Sequence, residues 1–158
     1  MGFKVGNKVI HCTFGLGEIT NIEEKTINGK QENCYVVRMN DLTIWIPMDD
    51  PEQNSLRKPT PPEEFIKTLP ILTSPNENLL EDRVLRKKQL TEQLKDGQLS
   101  SICRVVRDLN HYKRNSKLND QEKSIFERAV KSLLTEWVFS MGTTQLQAHQ
   151  AMESMLEA

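Results

Sequence analysis

The sequence has few of the residues that mark disulfide-bonded, metal-binding or membrane proteins. It has three cysteines (Cys12, Cys34 and Cys103) and none in a CxxC spacing, which favours buried, reduced thiols. The three histidines are scattered, and no apolar run is long enough to span a bilayer. The first residues lack the apolar core of a signal peptide. We therefore expect a cytosolic protein without metal, cofactor or membrane contact.

The chain also lacks an excess of charge of either sign. Charged residues make up 27% of the sequence, but the net charge is only −1. The charges are unevenly distributed: residues 76–117 carry ten Lys or Arg against six Asp or Glu, and residues 118–158 carry three against six. A basic segment in a nearly neutral protein indicates a weak DNA contact that needs a second partner. A solvated helix face is the simpler explanation of the charges alone.

Residues 3–47 show the alternation and turn signals of short β-strands. Strands are predicted at 8–12, 18–26, 31–39 and 42–47, with a short closing strand at 55–57. Asn28-Gly29 is the strongest hairpin signal, since both residues tolerate the positive φ of a type I′ turn. Gly15 and Gly17 precede no helix pattern, which favours a bend or bulge over a phosphate loop. These strands predict a Tudor-like or SH3-like antiparallel β-barrel.

Trp45 is the candidate interface residue of this barrel. It alternates with Leu42, Ile44 and Ile46, so it lies outside if those three form the core. An exposed tryptophan on a small barrel is a candidate anchor for a partner. Burial of Trp45 against the second half of the chain is the open alternative.

The second half of the chain has helical periodicity. Four of the seven prolines lie between positions 51 and 62, so we assign residues 59–76 to a linker. A short helix in it, capped by Thr60, is expected to bury Phe65, Ile66 and Leu69. The domains are then a barrel at 1–58 and a compact all-helical domain at 77–158. The predicted fold class is α+β in two domains.

Four further helices are predicted, at 78–95, at 98–112, from Asn119 to about position 142 and from Thr144 onwards. Arg83 and Lys87 interrupt the apolar stripe of the first, so its first turns are expected to project beyond the core. In the second, Arg107 and Asp108 are expected to face solvent, opposite an apolar stripe.

The succession of these features resembles the CarD/CdnL family. The segments that carry the resemblance are FKVG at 3–6, Gly15 and Gly17, the Asn28-Gly29 hairpin, LTIWIP at 42–47 and VVRDL at 105–109. It covers nearly the whole chain. It implies a bacterial transcription factor, not an enzyme, whose Tudor-like domain binds the β subunit of RNA polymerase. The helical domain would contact promoter DNA, weakly and without sequence preference when alone, and stabilise the open complex.

The resemblance also implies where polymerase would bind. In the family, basic side chains on the second and fourth strands contact polymerase, and these positions correspond to Lys25 and Trp45. Lys25 keeps the charge, whereas Trp45 replaces it with an aromatic ring. We assign the polymerase contact to Lys25, Trp45, Ile46 and Pro47.

The DNA contact is assigned in the same way. In well-studied family members a tryptophan at the start of the second helix wedges into the minor groove, and Arg83 occupies that position here. An arginine favours the negative potential of a narrow minor groove but cannot unstack a base step by apolar insertion. The basic residues that we assign to DNA are Arg83, Arg86, Lys87, Lys88, Arg107 and Lys123.

Two other functions remain open at this point. A scaffold would bind polymerase or another partner through the barrel without touching DNA, and the missing tryptophan favours it. An enzyme is disfavoured, because no nucleophile and base, paired carboxylates or phosphate loop stand out by spacing. We expect a monomer.

Overall fold

A computed structural model of the chain describes residues 2–48 and 56–157. The chain divides into two compact units, Met1–Pro59 and Thr60–Ala158, called here the β unit and the helical unit. The β unit has a core of Val9, Ile19, Tyr35, Val37 and Met39. The helical unit has a separate and larger core. The predicted α+β class, a Tudor-like sheet followed by helices, is confirmed.

The described part of the β unit is an antiparallel sheet with the strand order β4-β3-β2-β1-β5. Its strands are β1 (Lys8–His11), β2 (Gly15–Ile27), β3 (Lys30–Met39), β4 (Leu42–Pro47) and β5 (Leu56–Arg57). Ser55, which was expected to belong to the closing strand, lies outside the described residues.

Local chemistry explains the turns of this sheet. Asn28 (φ 52°) and Gly29 (φ 80°) form the β2–β3 hairpin turn with the positive φ that was predicted for this pair. The irregularity in the β2–β3 pairing falls between Ile19 and Asn21, beyond the glycines where a bulge was expected. Gly17 serves close packing instead, because a Cβ there would lie 2.7 Å from Met39 Cγ. A glycine is therefore required where β2 passes these core side chains.

His11 organises the β1–β2 turn. Its Nδ1 accepts hydrogen bonds from the backbone N–H groups of Thr13 (3.0 Å) and Phe14 (3.1 Å). The ring also stacks on that of Phe14, with 5.0 Å between centroids. Burial lowers the pKa of His11, so the neutral ring that accepts both bonds is favoured.

The three cysteines are free and differ in exposure. Cys34 and Cys103 are buried, as expected for small apolar side chains, whereas Cys12 is exposed. Burial raises the pKa of Cys103 to about 12, which makes its thiol unreactive at neutral pH.

The helical unit contains five α-helices and one 3-10 helix within the described residues. They are α1 (Pro62–Thr68), the 3-10 helix (Leu69–Thr73), α2 (Arg83–Leu94), α3 (Leu99–Asn115), α4 (Asp120–Met141) and α5 (Gln145–Glu157). The predicted capping box at Asn119 is present, and Gly142 ends α4 in the left-handed conformation. None of the described helices combines the length and apolar character needed to cross a membrane.

The segment that was assigned to a linker is part of the helical unit. Phe65, Leu69 and Leu72 are buried in the core of that unit, so the boundary between the units falls after Pro59. Ile66 differs from the prediction, since 56% of it is exposed. Thr60 does not cap α1: its N–H and hydroxyl both donate to the buried carboxylate of Glu136, at 2.9 and 2.6 Å. These contacts fix the start of the helical unit.

Candidate functional site

The candidate site begins at the amino-terminal turn of α2, which starts at Arg83 rather than near position 78. Asp82 caps the helix, since its carboxylate accepts from the N–H groups of Val84 (2.9 Å) and Leu85 (3.0 Å). The Leu80 N–H donates to the side chain of Gln89 at 3.0 Å. These hydrogen bonds connect the residues that precede α2 to the helix itself.

The first two turns of α2 present cations and apolar side chains to solvent. Arg83, Lys87 and Lys88 are exposed, and so are Val84 (75% exposed) and Leu85 (52%). After the Asp82 cap the first turn contains no acidic residue, so the exposed Arg83 lies at the positive end of the helix dipole, where a cation is disfavoured. Departures from local stability are expected at functional sites. We call Arg83, Val84, Leu85, Lys87 and Lys88 the α2 tip.

Arg86 lies on the same helix but is buried, so the structure removes it from the exposed basic surface. Its Nε donates to Glu122, and one terminal nitrogen donates to the carbonyls of Leu80 (3.2 Å) and Glu81 (3.0 Å). Its guanidinium lies 4.8 Å from the ring centroid of Tyr112. The hydrogen bond to Glu122 raises the pKa of Arg86 against the opposing effect of burial. Arg86 therefore ties the segment before α2 to α4.

Glu122 receives this arginine while it also caps α4. Its N–H donates to the Asn119 side chain at 2.8 Å, and its Oε1 accepts from the Asn119 N–H at 2.9 Å. Oε2 accepts from Arg86. Both carboxylate oxygens are thus satisfied, which a buried charge requires.

Arg107 and Asp108 are also buried, contrary to the expectation that they face solvent. Arg107 Nε donates to Asp108 at 2.9 Å, and a terminal nitrogen donates to Ser74 Oγ at 2.8 Å. Asp108 also accepts from the Glu77 N–H at 3.0 Å. Arg107 therefore holds the segment before α2 against α3 instead of presenting a charge to DNA.

Lys123 is exposed in the first turn of α4, next in sequence to the glutamate that binds Arg86. It lines an open cavity of about 510 Å³ together with Lys113, Lys117, Phe126 and Glu127. The Lys113 Nζ lies 4.9 Å from the centroid of the Phe126 ring. The sequence counted Lys113 and Lys117 in the basic segment 76–117 but did not bring them together with Lys123 and Phe126, because these residues meet only when α3 and α4 pack.

A second candidate site lies on the outer face of the β unit. Trp45 is 38% exposed, and its Nε1 donates to Glu23 Oε2 at 2.8 Å. The Lys25 Nζ lies 3.7 Å from the centroid of the indole ring. Lys25 and Trp45, which were assigned to one interface from different strands, are therefore in direct contact. The cation and the carboxylate hold the ring in a defined orientation.

Ile46 and Pro47, assigned to the same interface, are half-buried. Ile46 packs against the core of the β unit, opposite Tyr35 in the strand register. Pro47 pairs with Cys34 at the end of β4. Trp45 is thus an exposed aromatic side chain of β4, and Ile46 packs on the other face of the strand. Leu42, which was expected in the core with Ile44 and Ile46, is also exposed (41%).

No group of three or more His, Cys, Asp or Glu side chains in residues 2–48 and 56–157 is arranged to hold a metal ion. The α2 tip consists of cations and apolar side chains, and the site on the β unit consists of an indole ring between a cation and a carboxylate.

Comparison with known proteins agrees with this architecture. Residues 3–60 match the family described as "CarD-like/TRCF RID domain", and residues 67–153 match "CarD, C-terminal domain". A Bacillus subtilis (strain 168) protein named "Putative transcription factor YdeB" is 29% identical over 151 residues. The alignment covers 92% of this chain and 96% of the relative.

The fold defines a two-domain protein with a Tudor-like sheet followed by a helical domain. The chain belongs to the CarD family.

Proposed function

We propose that this protein is a CarD-like transcription regulator. It binds the β subunit of RNA polymerase through its β unit, contacts promoter DNA through its helical unit and thereby stabilises the open complex. Family membership and the name of the Bacillus subtilis relative support the role in transcription. The observation that carries the DNA contact is the exposed α2 tip. On this proposal the protein acts in the cytoplasm, as a monomer.

The α2 tip has the chemistry that a DNA groove requires. Arg83 can enter a narrow minor groove, where the negative potential is strongest, while Lys87 and Lys88 contact phosphates. Val84 and Leu85 are apolar and exposed beside Arg83, and apolar side chains of this kind can press on a base step. The tip therefore offers an apolar contact although no tryptophan is present in α2.

The β unit supplies the polymerase contact. Trp45, flanked by Lys25 and Glu23, offers an indole ring with an apolar face and a fixed orientation. Tryptophan is the side chain most enriched among residues that dominate binding energy at protein interfaces. We therefore assign the contact with the β subunit to Lys25 and Trp45, with Ile46 and Pro47 supporting the strand.

Two surfaces on one chain allow a weak DNA contact to be effective. Binding to polymerase raises the concentration of the α2 tip at the promoter, so the tip needs little affinity of its own. A coupling of roughly 1–3 kcal/mol between the tip and the open complex changes its population about 5- to 150-fold. A nearly neutral protein, with a net charge of −1, can act on DNA in this way.

The decisive experiment measures the lifetime of the open complex formed by the cognate polymerase, with and without this protein. We expect the protein to lengthen the lifetime and the Arg83→Glu/Lys87→Glu variant to lose the effect. Arg86 is left unchanged, because it is buried and its loss would disturb the fold. The matched control is Lys67→Glu/Lys131→Glu, which reverses two exposed charges on α1 and α4. An equal loss in this control would contradict the assignment to the tip.

The polymerase contact is tested separately by binding to the isolated β subunit. Trp45→Ala should abolish binding, whereas Thr43→Ala, on the same strand and also exposed, should not. Retention of binding by Trp45→Ala would remove Trp45 from the interface.

A scaffold without DNA contact is the second candidate function. The burial of Arg86 and Arg107 favours it, because two of the six basic residues assigned to DNA are used inside the fold. On this alternative the Arg83→Glu/Lys87→Glu variant would act as the unmodified protein does, while Trp45→Ala would still lose polymerase.

A further inference from the structure

An open cavity lies between the end of α3 and the start of α4. It is lined by several charged residues, and none of them belongs to the α2 tip. Three lysines and one glutamate line it, namely Lys113, Lys117, Lys123 and Glu127. All four side chains are exposed, so their charges sum to a net positive rim. Such a rim attracts anions.

None of the three lysines has a carboxylate partner among the described residues, although Lys113 contacts the Phe126 ring. Among the ion pairs of residues 2–48 and 56–157, none involves Lys113, Lys117 or Lys123. Lys123 in addition lies in the first turn of α4, where the helix dipole disfavours a cation. Lys113 differs, because it lies in the last turn of α3, where the helix dipole favours a cation. Lysines without a carboxylate partner are available to a ligand that supplies the opposite charge.

Phe126 adds an aromatic surface to this cavity. It is half-buried, because one side packs against the core of the helical unit, and it also lines the opening. The Lys113 ammonium group lies over the ring at 4.9 Å. A planar base can take this place on the ring, and the displaced Lys113 can then reach a phosphate.

We propose that this cavity binds a nucleotide of single-stranded DNA, with the base stacked on Phe126 and the flanking phosphates bound by Lys113, Lys117 and Lys123. Base stacking on an aromatic side chain beside a basic groove is the general mode of single-strand recognition. A duplex cannot use the ring, because its bases are stacked on one another. The inference goes beyond the proposed function, since it concerns a second surface and requires no polymerase.

The test uses the full chain and a fluorescent oligothymidylate, compared with a duplex of equal length by fluorescence anisotropy. Phe126→Leu keeps an apolar side chain against the core and removes the stacking surface. We expect it to weaken single-strand binding about 5- to 150-fold, the range for loss of one stacked base, and to leave duplex binding unchanged. Phe126→Trp should restore single-strand binding. Circular dichroism and the urea midpoint check that each variant is folded.

The lysines are tested through the salt dependence of the same binding. Lys113→Gln/Lys117→Gln should lower the slope of log affinity against log salt by about 1.4, or roughly 0.7 for each single-strand phosphate contact. Lys67→Gln/Lys131→Gln, which removes two exposed lysines elsewhere, should leave the slope unchanged.

Three outcomes would overturn the proposal. The first is single-strand binding that Phe126→Leu leaves intact, and the second is an equal loss for single strand and duplex, which would indicate charge alone. The third is displacement of the oligonucleotide by thymidine monophosphate at equal nucleotide concentration, which would make a free nucleotide the ligand. Because polymerase is absent, failure here is separate from failure of the proposed function.

Discussion

Removal of Arg86 should destabilise the helical unit strongly. Arg86→Met leaves the Glu122 carboxylate buried without its cation, which costs roughly 3–5 kcal/mol in the free energy of unfolding. Urea denaturation followed by circular dichroism measures the change. Lys87→Met is the matched control, since it removes an exposed cation from the next position and should cost less than about 0.5 kcal/mol.

The double variant Arg86→Met/Glu122→Leu, compared with the two single variants, measures the interaction between Arg86 and Glu122. It should be less destabilised than the sum of the single variants, because no lone charge stays buried. A loss in Arg86→Met no larger than that in Lys87→Met would show that the pair contributes little.

His11 should make the stability of the β unit depend on pH. Burial lowers the pKa of His11 below its usual value of 6.5, so the unfolded chain takes up the proton first as the pH falls. The stabilisation is complete above pH 6.5 and declines on acidification, when Nδ1 can no longer accept the two backbone hydrogen bonds. We expect the urea midpoint of the β unit to fall as the pH is lowered from 6.5.

The His11→Asn variant should lack this slope, because an asparagine oxygen can accept the same bonds and does not titrate. His149→Asn, which changes an exposed histidine of α5, should keep it. If the urea midpoints of the His11→Asn variant and the unmodified protein differ by the same amount at every pH in this range, the role of His11 is refuted.

The sequence did not predict which charged residues of the helical unit are buried. Helical periodicity assigns Arg107 and Asp108 to the solvent face, since charged side chains are rarely buried unless they are paired. Arg107 pairs with the adjacent Asp108, and this pair is completed by Ser74 and the Glu77 N–H, 33 and 31 positions away. Arg86 pairs with Glu122, 36 positions away. These distant contacts form only after the helices pack, so no local pattern indicates them.

At the scale of elements, Gly17 should be indispensable to β2. A Cβ at this position would lie 2.7 Å from Met39 Cγ and 2.8 Å from Val37 Cγ1, and both side chains belong to the core. Gly17→Ala should therefore destabilise the β unit by roughly 1–3 kcal/mol, as overpacking does. Thermal and urea unfolding measure the loss.

Gly2→Ala is the control for this prediction. The nearest atom to its added Cβ is Tyr35 Oη at 3.5 Å, an ordinary contact, so stability should change by less than about 0.5 kcal/mol. Equal effects of the two substitutions would mean that overpacking is not the cause.

Elements with their own start and stop residues were predictable. The Asn28-Gly29 turn, the Asn119 capping box and the Gly142 stop depend on neighbouring residues, and all three are confirmed. The linker at 59–76 was assigned from proline density, which describes the backbone alone, whereas the short helix expected within it and the burial of Phe65 and Leu69 are present. In this segment Phe65 of α1 packs on Trp137 of α4, with 5.6 Å between the ring centroids, and the two residues are far apart in the sequence.

For the whole molecule, each unit contains one of the two tryptophans. Trp45 is 38% exposed in the β unit, whereas Trp137 is 5% exposed in the helical unit, so their emission reports the units separately. We expect Gly17→Ala to lower the urea midpoint seen by Trp45 in a Trp137→Phe background. The midpoint seen by Trp137 in a Trp45→Phe background should not move, because each unit has its own core. Equal shifts of both midpoints would show that the chain unfolds as one cooperative body.

The Arg86–Glu122 pair also constrains how this protein can change over generations. A substitution at either position alone leaves a buried charge and is removed by selection, whereas simultaneous replacement by apolar residues restores the interior. Among sequences descended from this chain, the two positions should therefore covary: both charged residues are kept, or both are replaced. Arg83 is exposed and takes part in no ion pair of residues 2–48 and 56–157, so this constraint does not apply to it.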